Sequence, residues 1–250
     1  MKSTFKDHFS GHSSSYQKFR PSYPDEMFEF LASLAPTQTL AWDCATGNGQ
    51  AAISLAKHFT QVIATDASEK QIANTIPDNN IKYQVAKAEH TQIIDRSVDL
   101  ITVAQALHWF DIAAFFQEAQ RVLTDSGILA VWSYRFLSIS PELDNAVHFL
   151  YKDILDPYWP SERKLVEEGY AGVDFPFKQV SVPSFTMTAD WNLSQLHGYL
   201  STWSAVERYK TNKGSDPMLL IKTTLSDLWG DPISVKQIQW PLTMKVGIRQ

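Results

Sequence analysis

Between Leu40 and Trp132 short apolar runs alternate with stretches of helical spacing, and this alternation limits the possible folds more than any other feature of the chain. Leu40-Ala41-Trp42 leads into Asp43, Val62 to Thr65 ends at Asp66, and Ile81–Val85, Val98–Ala104 and Ile128–Trp132 follow as further strand candidates. After Gly49, the residues Ala52, Leu55, Ala56 and Phe59 recur at the i, i+3, i+4, i+7 spacing of one helical face. Glu69 to Thr75 also reads as helix. Ile112, Phe115, Phe116, Ala119 and Leu123 make another stripe, and Thr124-Asp125-Ser126-Gly127 reads as a turn. Val98–Ala104 is almost continuously apolar, as befits a parallel strand covered on both faces. Strands that alternate with helices predict an α/β fold: a doubly wound, mostly parallel sheet with helices on both faces and right-handed crossovers.

Beyond Trp132 the rhythm changes. Leu143, Val147, Leu150, Tyr151 and Ile154 predict a helix over 141–154, which Asp156-Pro157-Tyr158-Trp159-Pro160 ends. Residues 177–187 read as extended, Asn192–Val206 and Pro217–Trp229 as helices. Leu242, Met244, Val246 and Ile248 alternate as a closing strand. The expected organisation is an N-terminal lid and first helix over 1–39, a nucleotide-binding core over 40–133, and a mainly helical cap over 134–232 with a sheet strand near 177–187. Residues 233–250 are expected to complete the sheet.

Composition narrows the function. A formal net charge of -5 without a Lys/Arg run argues against a nucleic-acid surface, because phosphate binding needs clustered cations. The single cysteine, Cys44, excludes an internal disulfide or a thiolate metal cage, and no metal site is expected. The start, Met1-Lys2-Ser3-Thr4-Phe5-Lys6-Asp7-His8, has no apolar signal region, and no stretch has the length needed to span a membrane. The expectation is a cytoplasmic protein with no membrane partner; its oligomeric state is not readable.

Asp43-Cys44-Ala45-Thr46-Gly47-Asn48-Gly49 falls between a strand and a helix, where glycines permit a sharp turn and free helix N–H groups face a ligand. An ordinary βα loop would read the same way. Asp66 ends the next strand, 23 residues on, at the place where a carboxylate accepts from ribose hydroxyls, though a helix cap is the plainer alternative. Together the two features suit an adenosine-containing ligand. The dinucleotide pattern Gly-x-Gly-x-x-Gly is broken at Ala52.

On these residues the chain resembles the class I S-adenosylmethionine-dependent methyltransferases. Leu40 to Gly49 is similar to their first motif, Asp66 to their ribose-binding acid, and Ala86-Lys87-Ala88-Glu89 to their adenine-binding segment. Asp99 to Phe110 matches their fourth strand and its loop, and Arg121 to Leu129 the turn into the fifth. The resemblance implies a Rossmann-like, seven-stranded sheet with an inserted helical cap. It also implies S-adenosylmethionine as methyl donor. Ala45 departs from it, because the family usually has glycine there; a negative φ would accommodate the added methyl. Tyr16-Gln17-Lys18-Phe19-Arg20-Pro21-Ser22-Tyr23-Pro24, Gln105–Phe110 and Ser201–Val206 resemble methyltransferases similar to trans-aconitate methyltransferase, which implies O-methylation of a small carboxylic acid. A hydroxyl or amine acceptor on another small metabolite is the alternative, as is a protein that binds S-adenosylmethionine or S-adenosylhomocysteine without catalysis.

By this resemblance Tyr16, Arg20, Asp43, Ala45, Thr46, Gly47, Asp66, Ala67, Ala88, Glu89 and Gln105 are candidates for the cofactor site. Tyr16 would cover the cofactor, and Arg20 would pair with a carboxylate or stack on the surface. Asp43 would hold the loop or the methionine amine. His108 is the one candidate base after the fourth strand, with packing as its alternative. His108, Trp109, Tyr158, Trp159 and Trp203 are candidates to line the acceptor pocket, although aromatic side chains at helical spacing more often belong to a core.

Overall fold

The computed structural model describes residues 21–134 and 136–250. Helix α1 (Asp25–Leu34) precedes an alternating series: β1 (Leu40–Cys44), α2 (Gln50–Leu55), β2 (Gln61–Asp66), α3 (Glu69–Ala73), β3 (Ile81–Val85), β4 (Val98–Ala104), α4 (Ile112–Val122) and β5 (Leu123–Tyr134). The strands run in the order β3-β2-β1-β4-β5, all parallel. The order reverses between β1 and β4, so the carboxyl ends of these two strands flank the crevice in which open α/β sheets bind ligands.

Alternation along the strands separates two cores. Ala41, Leu100, Ala130 and Trp132 face α1 and α2, packing on Phe28, Leu31, Ala52 and Leu55. Trp42, Ile101, Val103, Leu129 and Val131 face α4, packing on Phe115 and Ala119. Both faces are therefore dry, which explains why β4 is apolar at successive positions. Its one carboxylate, Asp99, has a structural use. It accepts from Thr37 Oγ1 (2.7 Å) and from the Thr39 and Leu40 N–H groups (3.0 and 3.1 Å), pinning the entry of β1 to its neighbour.

The sheet has eight strands, one more than expected. The extra strand follows from the length of the last, β8 (Lys236–Ile248), which pairs with β5 along one edge and has room for two short strands along the other. Leu242 to Ile248 pairs antiparallel with β5, while Lys236 to Pro241 pairs with β7 (Thr186–Trp191). The two-residue β6 (Lys178–Gln179) pairs with Gly247 and Ile248 at the far end of β8. The extended reading of 177–187 thus resolves into two separate strands.

The cap has its own core, built on Leu143, Val147, Leu150, Tyr151, Tyr199 and Trp203. The helix expected over 141–154 is α-helical only as α5 (Pro141–His148) and widens into a π turn at Phe149–Ile154. Helix α6 (Arg163–Glu167) packs on the 3-10 turn Leu107–Trp109 that follows β4, which joins the cap to the core. The expected helix Asn192–Val206 is two: α7 (Leu193–Ser201) and α8 (Ser204–Lys213). They part where the Thr202 hydroxyl bonds back to the Tyr199 carbonyl (2.6 Å) and Trp203 turns extended, burying its ring in the cap core. A 3-10 turn (Pro217–Leu220) and α9 (Lys222–Trp229) complete the cap. Among the described residues no helix is long and apolar enough to cross a membrane.

Candidate active site at the carboxyl ends of the strands

The loop after β1 is held in conformations that need physical support. Ala45 has φ +56°, Gly47 +59° and Gly49 +92°. A negative φ does not rescue Ala45, and its methyl sits in the left-handed region that L-residues avoid. Gly49 is obligatory on two grounds: its φ, and the Tyr83 hydroxyl lying 2.5 Å from where a Cβ would be. At Gly47 an added Cβ would meet nothing within 4 Å, so the backbone there borders open space. Gln105, ending β4, is also left-handed at φ +55°, and its side-chain amide donates to the Tyr134 carbonyl (3.0 Å). Two strained residues just past the carboxyl ends of adjacent strands are the pattern expected where a fold stores strain for a ligand.

Two carboxylates organise this crevice. Asp66 accepts from the Gly47 N–H (2.9 Å) and the Ser68 N–H (2.8 Å), tying the β1 loop to the end of β2. A carboxylate has about four acceptor sites, so these two bonds do not by themselves fill it. Asp43 is buried, and accepts from the hydroxyls of Thr46 (2.5 Å) and Thr102 (2.7 Å). Burial pushes its carboxyl up to about 6, while the two threonine hydroxyls pull the other way. A nearby cation would restore its charge. At the end of β5, Trp132 Nε1 and Ser133 Oγ are buried with no hydrogen-bond partner among the described residues. Unmet polar groups of this kind concentrate at functional sites.

The third wall is the segment after β3. Ala88 is buried, and Glu89 accepts from the Asp111 N–H just before α4 (3.0 Å). A clamp that the sequence did not reveal fixes this segment. Glu118 on α4 takes both the N–H and the hydroxyl of Thr91 (2.7 Å each), and Arg121 bonds Glu118 (2.7 and 2.9 Å) and the Ile93 carbonyl (2.8 Å).

Beyond β4 lies a second cluster. His108 Nδ1 is 3.0 Å from the Tyr170 hydroxyl, and its ring is 4.6 Å from that of Trp109. Burial lowers its pKa to about 3, Arg163 pushes the same way, and Glu162 opposes them. Burial also raises the Tyr170 phenol. Arg163 opens α6, with its guanidinium 4.9 Å from the Trp159 ring centre and 5.6 Å from that of Tyr151. Trp159 and Trp203 are 5.7 Å apart, joined through Tyr151, with Trp203 in the cap core. Tyr158 lies against Tyr209 (5.0 Å, rings tilted by 59°) at the edge of the cap core.

The crevice thus brings together Asp43, Ala45, Thr46, Gly47 and Asp66, with Ala67 following in chain. Ala88 and Glu89 form the adjoining segment, with Gln105 at the end of β4. His108, Trp109 and Trp159 belong to the second cluster. Tyr16 and Arg20 lie outside the described residues. Arg163, Tyr151, Tyr170, Glu118 and Arg121 were not singled out as site residues, because their roles depend on partners distant in sequence, such as Thr91 for Glu118 and Ile93 for Arg121.

Comparison with known proteins agrees with this geometry. Residues 42–131 match the model of a methyltransferase domain. A protein of Dictyostelium discoideum described as a methyltransferase is 35% identical over 226 residues, covering 88% of this chain and 86% of its own. The chain belongs to the class I S-adenosylmethionine-dependent methyltransferases. A Saccharomyces cerevisiae protein described as an S-adenosylmethionine-dependent methyltransferase is 26% identical, covering 82% of this chain and 83% of its own. The solved structure of a protein from Anaeromyxobacter dehalogenans, described as a type II methyltransferase, superposes with a TM-score of 0.87 at 37% identity, covering 92% of this chain and 98% of that one. As in other methyltransferases, the methyl donor is S-adenosylmethionine. The crevice suits it: the Asp66 carboxylate fits hydroxyl donors, the buried Asp43 carboxyl a cationic amine, and the bare backbone at Gly47 allows close approach.

Proposed function

We propose that this methyltransferase esterifies a small carboxylic acid. The observation that carries the reading is the state of His108. A general base works best with a pKa near the operating pH. His108, the one imidazole in the loop after β4, is held at about 3 by burial and Arg163, and it is engaged with Tyr170. A proton taken from a hydroxyl or an ammonium would have no good acceptor there. A carboxylate needs none, because it is already anionic at neutral pH.

In the proposed arrangement Asp66 accepts from the ribose hydroxyls, and Ala88 and Glu89 border the adenine. Asp43, Thr46 and Gly47 surround the amino-acid end, with Tyr16 and Arg20 as its cover. Ala45, Ala67 and Gln105 contribute backbone and side-chain contacts. His108, Trp109 and Trp159 wall the acceptor side, where the neutral imidazole and the Tyr170 phenol keep a fixed hydrogen-bonded geometry. The bound donor supplies a methyl on a cationic sulfur: the carboxylate oxygen bonds to it as the carbon–sulfur pair returns to sulfur, so the charges cancel and no proton moves. What remains for the protein is alignment and exclusion of water, which supply much of the rate in such displacements.

The test is a set of small carboxylic acids, each beside its alcohol and its amine counterpart, incubated with enzyme and methyl-labelled donor. Base-labile methyl ester from at least one acid is the expected product. Label found only on alcohols or amines would overturn the reading.

A further inference from the structure

We infer that Arg163 is the residue that selects the acceptor, by holding its carboxylate within an aromatic cage formed by Trp159 and Tyr151; this rests on the carboxylate reading above. Arg163 is half-buried, and among the described residues its side chain makes one hydrogen bond, from Nε to the Tyr151 hydroxyl (3.0 Å). Among the described residues its two terminal amino groups have no hydrogen-bond acceptor and no carboxylate within ion-pair distance. The acids nearby are otherwise engaged. Glu167 accepts from the Tyr151 hydroxyl (2.5 Å) and lies 3.5 Å from the Lys152 ammonium. Glu168 pairs with Lys164 (3.7 Å), and Glu162 has interactions of its own.

The cage fixes where this cation points. Stacking over Trp159 and the bond to Tyr151 hold the guanidinium plane, so the open edge of the fork is pre-organised rather than free to wander. Helix α6 packs on the turn that carries His108 and Trp109, and the charge of Arg163 is felt at both His108 and Tyr170. The guanidinium is therefore near the cluster at the end of β4. A planar two-donor fork matches a carboxylate, and a carboxylate so held keeps about two of its four acceptor sites for attack. The walls add a second requirement. With half-exposed Trp159 against the cation and half-exposed Trp109 against His108, a flat unsaturated or aromatic skeleton fits better than a bulky saturated one.

The experiment uses full-length protein saturated with S-adenosylhomocysteine. Planar carboxylic acids of four to ten carbons are titrated by calorimetry, each beside its uncharged amide. Wild type is expected to prefer at least one acid over its amide by about tenfold or more, as for a charge-assisted pair. Arg163→Gln should remove that preference while leaving S-adenosylhomocysteine binding and the melting temperature unchanged. Arg163→Lys should keep part of it. If Gln at 163 leaves the preference intact, or wild type prefers no acid, the inference falls. The two proposals fail separately. An acid esterified equally well by Arg163→Gln sinks the role of Arg163 alone, whereas an acid that binds through Arg163 but receives methyl on another atom sinks the esterification reading alone.

Discussion

Ala45→Gly tests whether the first loop carries strain. The residue has φ +56°, where an L-residue costs about 1–2 kcal/mol relative to the right-handed region. Glycine has no such cost, but it gains freedom in the unfolded chain, which returns about 0.4–1 kcal/mol. The substitution is therefore expected to stabilise by about 0.5–1 kcal/mol. For a chain of this size that is a rise in melting temperature of about 1–4 °C. Thermal unfolding by differential scanning calorimetry reads it, with Ala41→Gly, on the buried β1 strand, as a control expected to destabilise. Because the same methyl borders the amino-acid end of the proposed donor site, calorimetric affinity for S-adenosylmethionine is expected to hold or improve. A lower melting temperature for Ala45→Gly would refute the reasoning, since it would mean that packing of the methyl outweighs the backbone strain.

Other predictions concern the two carboxylates. Asp66→Ala removes an anionic acceptor from the proposed ribose site and the partner of the Gly47 and Ser68 N–H groups, so S-adenosylmethionine affinity should fall by about 10- to 100-fold in a calorimetric titration. Unchanged affinity would remove Asp66 from the site. Asp43 has its folded pKa raised to about 6 from 3.8, so the folded state binds the extra proton between those values and its ionisation weakens the fold as pH rises through that window. Asp43→Asn should therefore stabilise at pH 7 by up to about 3 kcal/mol, with the gain shrinking towards zero near pH 4. Melting temperatures at the two pH values check this, and a gap that does not change with pH would contradict it. The same variant should bind the donor more weakly at pH 7, having lost the charge proposed to face its amine.

The core was legible because its signals are local. The apolar runs at Val62–Thr65 and Val98–Ala104 are strands of the sheet, and the turn Asp43–Gly49 announces itself through Gly47 and Gly49, which tolerate left-handed backbone. The cap was less legible. Apolar spacing alone does not show that Thr202 would bond back to Tyr199 and split a helix, or that a 13-residue strand would serve three partner strands. The acceptor side was the least legible. Arg163 stands in an ordinary charged stretch, Ser161-Glu162-Arg163-Lys164, and acquires meaning only when Trp159 and Tyr151 fold around it. His108 was singled out by its position after β4. Its chemistry comes from burial, which spacing does not encode.

The most direct test of the central claim, that the acceptor arrives as an anion and no base removes a proton, is the pH dependence of kcat at saturating donor. It is to be measured with the best acid acceptor, for wild type and for His108→Asn. A flat profile from pH 6 to 9 is predicted for both, with kcat of the variant within about tenfold of wild type, the change reflecting lost packing with Tyr170 rather than lost proton transfer. A rising limb centred near pH 6–7 in wild type that vanishes in His108→Asn, with a fall in kcat of about a hundredfold or more, would contradict it and make His108 the base.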